Sequence, residues 1–166
     1  ISDDTMGWRE VSGYSSENGD HTSGIRLCCR RLYEPNAKTT QDGRHPDVQA
    51  GRLKHNAKAP DCFLDMCKEV RVHLRQYAGL HCSIAFWCNQ GKHRSVGCAE
   101  LFNAILSTQA WARASTWPGK GCELYIEHIS LDHHMQAHKG CADCCDKNPY
   151  ENPHIQAAQK MWELSA

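Results

Sequence analysis

The stretch "HCSIAFWCNQGKHRSVGCAELFNAILS", residues 81 to 107, holds the clearest change of pattern in the chain. His81 to Cys88 is a short apolar run and reads as a buried strand; "NQGKH" turns the chain; from Ser95 onward Val96, Leu101, Ala104 and Ile105 recur at helical spacing. The order is strand, glycine loop, helix, the unit from which α/β domains are built.

Working outward, "DCFLDMCKEVRVHLRQY" after Pro60 sets Phe63, Met66, Cys67, Val70, Leu74 and Tyr77 three and four apart. That is the stripe of an amphipathic helix with Asp61 as its expected cap, and Cys62 and Cys67 read as core residues. "GIRLCCRRL", Gly24 to Leu32, is the expected first strand. Tyr33 to Ala59 is polar, broken by Pro35, Gly43, Pro46 and Gly51, and reads as a long loop with a helical turn near Val48 to Leu53. "CELYIEHI", Cys122 to Ile129, reads as a further strand, and Ile155 to Leu164 as a final short helix. Strands separated by helices predict a single three-layer α/β domain with a mainly parallel sheet over residues 24–130. Residues 1–23, polar and rich in Ser, Gly and Asp, read as a disordered arm, and residues 131–166 as a His/Cys-rich extension.

With 166 residues the chain has the length of one ordinary domain. Nineteen Lys plus Arg balance nineteen Asp plus Glu, so with neutral His no global field attracts nucleic acid or an anionic membrane. Any basic site is local. No run of about 18 apolar residues is present, so a spanning helix is not expected. Eleven cysteines, an odd number, sit in apolar stretches of a chain too long for a small disulfide scaffold. Free or metal-bound thiols in a reducing compartment follow, which predicts an intracellular, cytoplasmic place. Ile1 is not an initiator Met, which leaves the true start open.

In an open α/β sheet, ligands bind beyond the carboxyl ends of the strands, where the next helix offers unpaired N–H groups. Cys88, Asn89, Gln90, Gly91, Lys92, His93, Arg94 and Ser95 lie at such a place. Gly91 lets backbone approach an anion, Lys92 and Arg94 bring charge, and Ser95 can cap the helix or donate to an oxygen. A solvated turn is the bland alternative, but this density of donors in eight residues favours a phosphate site. Arg30, Arg44, His45 and His128 fall where strand and loop order could bring them to the same edge. The spacing C-x-x-G-x-x-R-S also matches the signature loop of cysteine-dependent phosphatases, with Cys88 as nucleophile and Arg94 as phosphate clamp. Trp87 stands where that family usually has histidine, and the upstream acids Asp61 and Asp65 fall in the expected helix.

The longer stretch "WCNQGKHRSVGCAELF" resembles the C-x-x-G-x-H-R-S-V-x-x-x-E segment of the RapZ C-terminal domain family, the RNase adapter proteins, through His93, Val96 and Glu100 as well. "CCRRLYEPN" is similar to that family's first strand end, with Arg30 and Pro35 kept, "DGRHPDV" to its T-G-x-D-x-x-V loop through Gly43 and Val48, and "IEHIS" to its late strand ending in His128. The resemblance implies an α/β binding domain for a phosphorylated amino sugar, glucosamine-6-phosphate, with RNA as a partner in bacteria. Cys28 and Glu34 replace the family's Asp and Asn, and C-N-Q-G its commoner C-T-G-G, which points to an altered ligand preference. The sequence carries no G-x-x-x-x-G-K-[ST] for an ATPase half.

"HISLDHHMQAHKGCADCCD" offers one more site. His138, Cys141 and Cys144 have the short spacing that wraps a tetrahedral zinc, with Cys145, His134 or Cys122 as the fourth ligand; all ligands being protein groups, the role expected of that zinc is structural. No nucleotide cofactor is expected, and the oligomeric state is left open.

Overall fold

The computed structural model describes residues 9–15, 21–33, 41–54, 61–78, 81–112, 125–126 and 153–166. The strand read from His81 onward is β3, His81–Trp87, and β2 is His21–Cys28. The two run parallel, in register from Thr22 opposite His81 to Cys28 opposite Trp87. Alternation along them separates two faces. Ile25, Leu27, Ile84 and Phe86 face the core, while His81, Ser83 and Ala85 are exposed on the other side.

The disordered arm expected over residues 1–23 is corrected within it. Arg9–Ser15 forms strand β1, antiparallel to β2, with Arg9 opposite Arg26 and Ser15 opposite His21 and an irregularity between Ser12 and Tyr14. Ladder hydrogen bonds to β2 order this polar segment although its side chains give no sustained apolar period. The three-stranded sheet has the order β1-β2-β3. Among the described residues it is therefore mixed, one antiparallel and one parallel pair, rather than mainly parallel.

The helical turn expected near Val48 to Leu53 is helix α1, Pro46–Arg52, which starts two residues earlier. Pro46 suits the first helical position, and His45 caps it: its Nδ1 accepts from the Asp47 N–H at 3.2 Å. Helix α2, Cys62–Gln76, buries Phe63, Met66, Cys67 and Val70 on one stripe, as their spacing predicts. Asp61 stands at its N-cap position with φ of 57° and makes no side-chain cap bond, so the capping expected of it is not made. Helix α3, Arg94–Ala112, buries Val96, Cys98, Leu101, Phe102 and Ile105. Helix α4, Pro153–Leu164, buries Ile155, Ala158 and Trp162.

Phe102 is the hub of the core. Its ring lies 5.2 Å from Phe63 on α2, 5.1 Å from Phe86 on β3 and 6.3 Å from Trp162 on α4. Burying each such side chain contributes about 1.5–3 kcal/mol, so one residue ties three elements to α3. Arg71 adds a polar clamp: its guanidinium donates to the Trp162 carbonyl and to Ser165 Oγ and lies 4.2 Å over the Trp162 ring. Of the strand expected at Cys122 to Ile129 only Tyr125 and Ile126 are described, and neither lies in a regular element. Among the described residues no helix is long and apolar enough to cross a membrane.

Candidate functional site

β3 ends at Trp87 and α3 begins at Arg94, so of the loop expected over Cys88 to Ser95 residues 88–93 form the turn and Arg94 and Ser95 open the helix. Alternation carries the side chain of Cys88 to the core side, beside Ile84 and Phe86. Gly91 then adopts φ of 64°, the left-handed region that costs an L side chain about 1–2 kcal/mol. This turn bends the loop back on the sulfur. Ser95, buried at the start of α3, places Oγ 3.3 Å from Cys88 Sγ, and the N–H groups of Ser95, Gly91 and Gln90 also bond to that sulfur. Burial by itself would raise the thiol, but the Ser95 hydroxyl and these three N–H groups outweigh it and hold Cys88 below its ordinary value of 9.0. Donors gathered this way stabilise negative charge at one point.

A second loop braces the first. The Gly43 N–H donates to the Lys92 carbonyl at 2.9 Å, and His93 Nε2 donates to the Gln41 carbonyl at 3.0 Å. A Cβ on Gly43 would stand 2.2 Å from the Gly97 nitrogen and 2.4 Å from the His93 carbonyl oxygen, so only glycine allows this approach. Asp42, fully buried, accepts from the Arg44 backbone N–H at 2.7 Å and from its guanidinium at 2.7 Å and 3.1 Å. The same residue types that made "DGRH" look like a ligand loop thus first make a rigid prop for residues 92–97.

The expected site residues divide accordingly. The loop from Cys88 to Ser95 is brought together as read, with Asn89 and Gln90 exposed at its tip. Arg30 reaches its edge: the Arg30 carbonyl accepts from Arg94 Nη1 at 2.9 Å, while its own guanidinium lies 4.6 Å over the Trp87 ring and donates to Cys28 Sγ at 3.5 Å. Arg44 adjoins the loop and is part-exposed, but Asp42 pins it. His45 is buried as the α1 cap, its Nε2 facing the Gln41 amide at 3.2 Å, so it serves the prop rather than a ligand. His128 and the zinc candidates His138, Cys141, Cys144 and Cys145, with His134 and Cys122, lie outside the described residues.

Two groups escaped the sequence reading. Gly97 matters because Gly43 packs on its backbone, a close approach whose only trace in the sequence is a glycine one turn into an apolar helix. Cys29 and Cys98 are both fully buried, and the Cys29 thiol donates to the Leu27 carbonyl at 3.7 Å. Burial first, then Cys98, raises the Cys29 thiol well above its ordinary value, the opposite of Cys88. Compared with protein-family models, curated proteins and solved structures, the chain matches none.

Proposed function

We propose that the chain is a binding module for a phosphorylated small molecule, an amino-sugar phosphate or a nucleotide-like one, held at the loop Cys88–Ser95. One observation carries the reading: the N–H groups of Gln90, Gly91 and Ser95 and the Ser95 hydroxyl converge at the head of a helix, where negative charge is favoured. Lys92 and Arg94 supply compensating charge beside them. The resemblance to RapZ C-terminal domains supports the same ligand class, and with it a three-layer α/β architecture. RNA rests on that resemblance alone and finds no support in the balanced charge.

Isothermal titration of the reduced protein with glucosamine-6-phosphate, other sugar phosphates and nucleotides tests the reading. Binding of a phosphorylated compound, lost on removal of its phosphate, is expected; a folded protein that binds none of them would overturn it.

A second reading is favoured by the lowered Cys88 thiol. Its sulfur stands at the focus of the donors, where a cysteine phosphatase holds its nucleophile. Asp42 is not a free general acid for that chemistry, since it is buried and bonded to Arg44. Hydrolysis of p-nitrophenyl phosphate that disappears in Cys88→Ser and persists in Cys98→Ser would establish phosphatase chemistry; a flat assay across pH 5–9 would leave binding alone.

A further inference from the structure

The core-facing residues of the two parallel strands are Ile25, Leu27 and then Cys29 on one, and Ile84, Phe86 and then Cys88 on the other. Cys28 opposite Trp87 is the last pair of the ladder, so Cys29 and Cys88 each lie one residue beyond it. Neighbouring strands are about 4.8 Å apart, inside the about 4.4–6.8 Å between Cα atoms that a disulfide bridges. The two side chains leave the sheet on the same face, toward one cluster. Cys88 is half-buried at its rim and Cys29 fully buried beneath, close enough for electrostatic interaction. All seven described cysteines are free thiols.

We propose that Cys88 and Cys29 form a peroxide-reactive pair: a hydroperoxide oxidises Cys88, and Cys29 closes a disulfide that takes the loop out of its anion-holding form. The Cys88 thiolate attacks one peroxide oxygen; the O–O bond breaks, a sulfenic acid forms, and hydroxide leaves and takes a proton from solvent. The Cys29 sulfur then attacks Cys88 Sγ, the S–S bond forms and the S–O bond breaks. The departing oxygen takes the Cys29 proton and leaves as water. Two thiols lose two electrons, one peroxide gains them, and a dithiol reverses the step.

Position selects Cys29 over its neighbours. Cys28 points to the opposite face, where it accepts from Arg30 Nε. Cys98 sits within α3, and moving it toward the loop would break helical hydrogen bonds, whereas Cys29 lies past the end of the ladder at the start of a single 3-10 turn, Cys29–Arg31. Once bonded to Cys29, the Cys88 sulfur loses its charge and its place among the donors of Gln90, Gly91 and Ser95. Loss of phosphate binding on oxidation rests on the binding function proposed above; the disulfide itself does not.

The experiment treats the reduced full chain with stoichiometric hydrogen peroxide, blocks remaining thiols with iodoacetamide, and maps disulfides by mass spectrometry after unreduced trypsin and chymotrypsin digestion. A Cys28→Ser variant removes the ambiguity of adjacent cysteines. A Cys29–Cys88 link is expected in the wild type, in Cys28→Ser and in Cys98→Ser. In Cys29→Ser, Cys88 should instead be trapped several-fold more by dimedone, as sulfenic acid. A link from Cys88 to Cys98, Cys82 or Cys28, or an unoxidised Cys88, would overturn the pairing, and the wild-type map decides this even if Cys29→Ser does not fold. Titration with inorganic phosphate before and after oxidation separates the two claims. Equal affinity in both forms refutes the regulatory effect, while no binding even when reduced refutes the binding function and leaves the disulfide to the map.

Discussion

Cys88 and Cys29 are the same side chain with opposite fates, and the difference is who their neighbours are. Cys88 meets a hydroxyl and three N–H groups, which favour its charge; Cys29 meets apolar core and another thiol, which do not. Alkylation by iodoacetamide, followed by mass spectrometry against pH, should show Cys88 reacting with a midpoint below 9.0. In Ser95→Ala the loss of the hydroxyl, the group that lowers the thiol most, should move that midpoint up, and an unchanged profile would contradict the role given to Ser95. The sign extends to stability. A thiol lowered by folding stabilises the fold above its unfolded value and loses that contribution as pH falls through the lowered one. Gly91→Ala should cost about 1–2 kcal/mol in urea unfolding, because alanine resists a φ of 64°.

Between elements, the decisive contact is the Gln41–His45 loop against the head of α3. Gly43→Ala should destabilise by more than about 2 kcal/mol, since backbone on both sides blocks the new methyl. Gly97→Ala should lie near neutral: its Cβ meets Gly43 O at 3.3 Å and a movable Arg52 side chain at 3.5 Å, and alanine regains about 1 kcal/mol of helix propensity. Chemical denaturation of both variants tests the contrast. The strand, loop and helix that follow His81 were legible in sequence, as were the buried face of α2 and the presence of α4, because apolar period and glycine act locally. The interlock of Gly43 with Gly97 was not, since it joins residues far apart in sequence through backbone alone. His45 read as a candidate ligand and is a cap, because a side chain's use depends on which N–H stands beside it. β1 was hidden for a related reason: its order comes from ladder bonds to β2, which its polar composition does not announce.

At the scale of the molecule, the core and the loop share cysteines, and pH reads both. Burial pushes the Cys62 thiol up to about 11 and Cys67 to about 12. Thiols raised by folding stabilise fully below their ordinary value and lose that contribution as pH rises through 11 and 12, so thermal unfolding should show stability falling from pH 9 upward. Cys67→Ala should fall less steeply over that range although it starts from a lower Tm. The core places the loop, the second loop holds it, and the helix head gives it an electrostatic sign. On the function proposed above, that chain of dependence ends at a phosphate, and Arg94 is the residue both functional readings need. Its fork gives two charge-assisted bonds where lysine gives a point charge. The most direct measurement is therefore a titration of the reduced protein and of Arg94→Lys with glucosamine-6-phosphate at fixed salt, after circular dichroism shows the same fold. Binding by the parent, weakened in Arg94→Lys by on the order of 1–3 kcal/mol, is the predicted result; a variant that binds as tightly as the parent would contradict it.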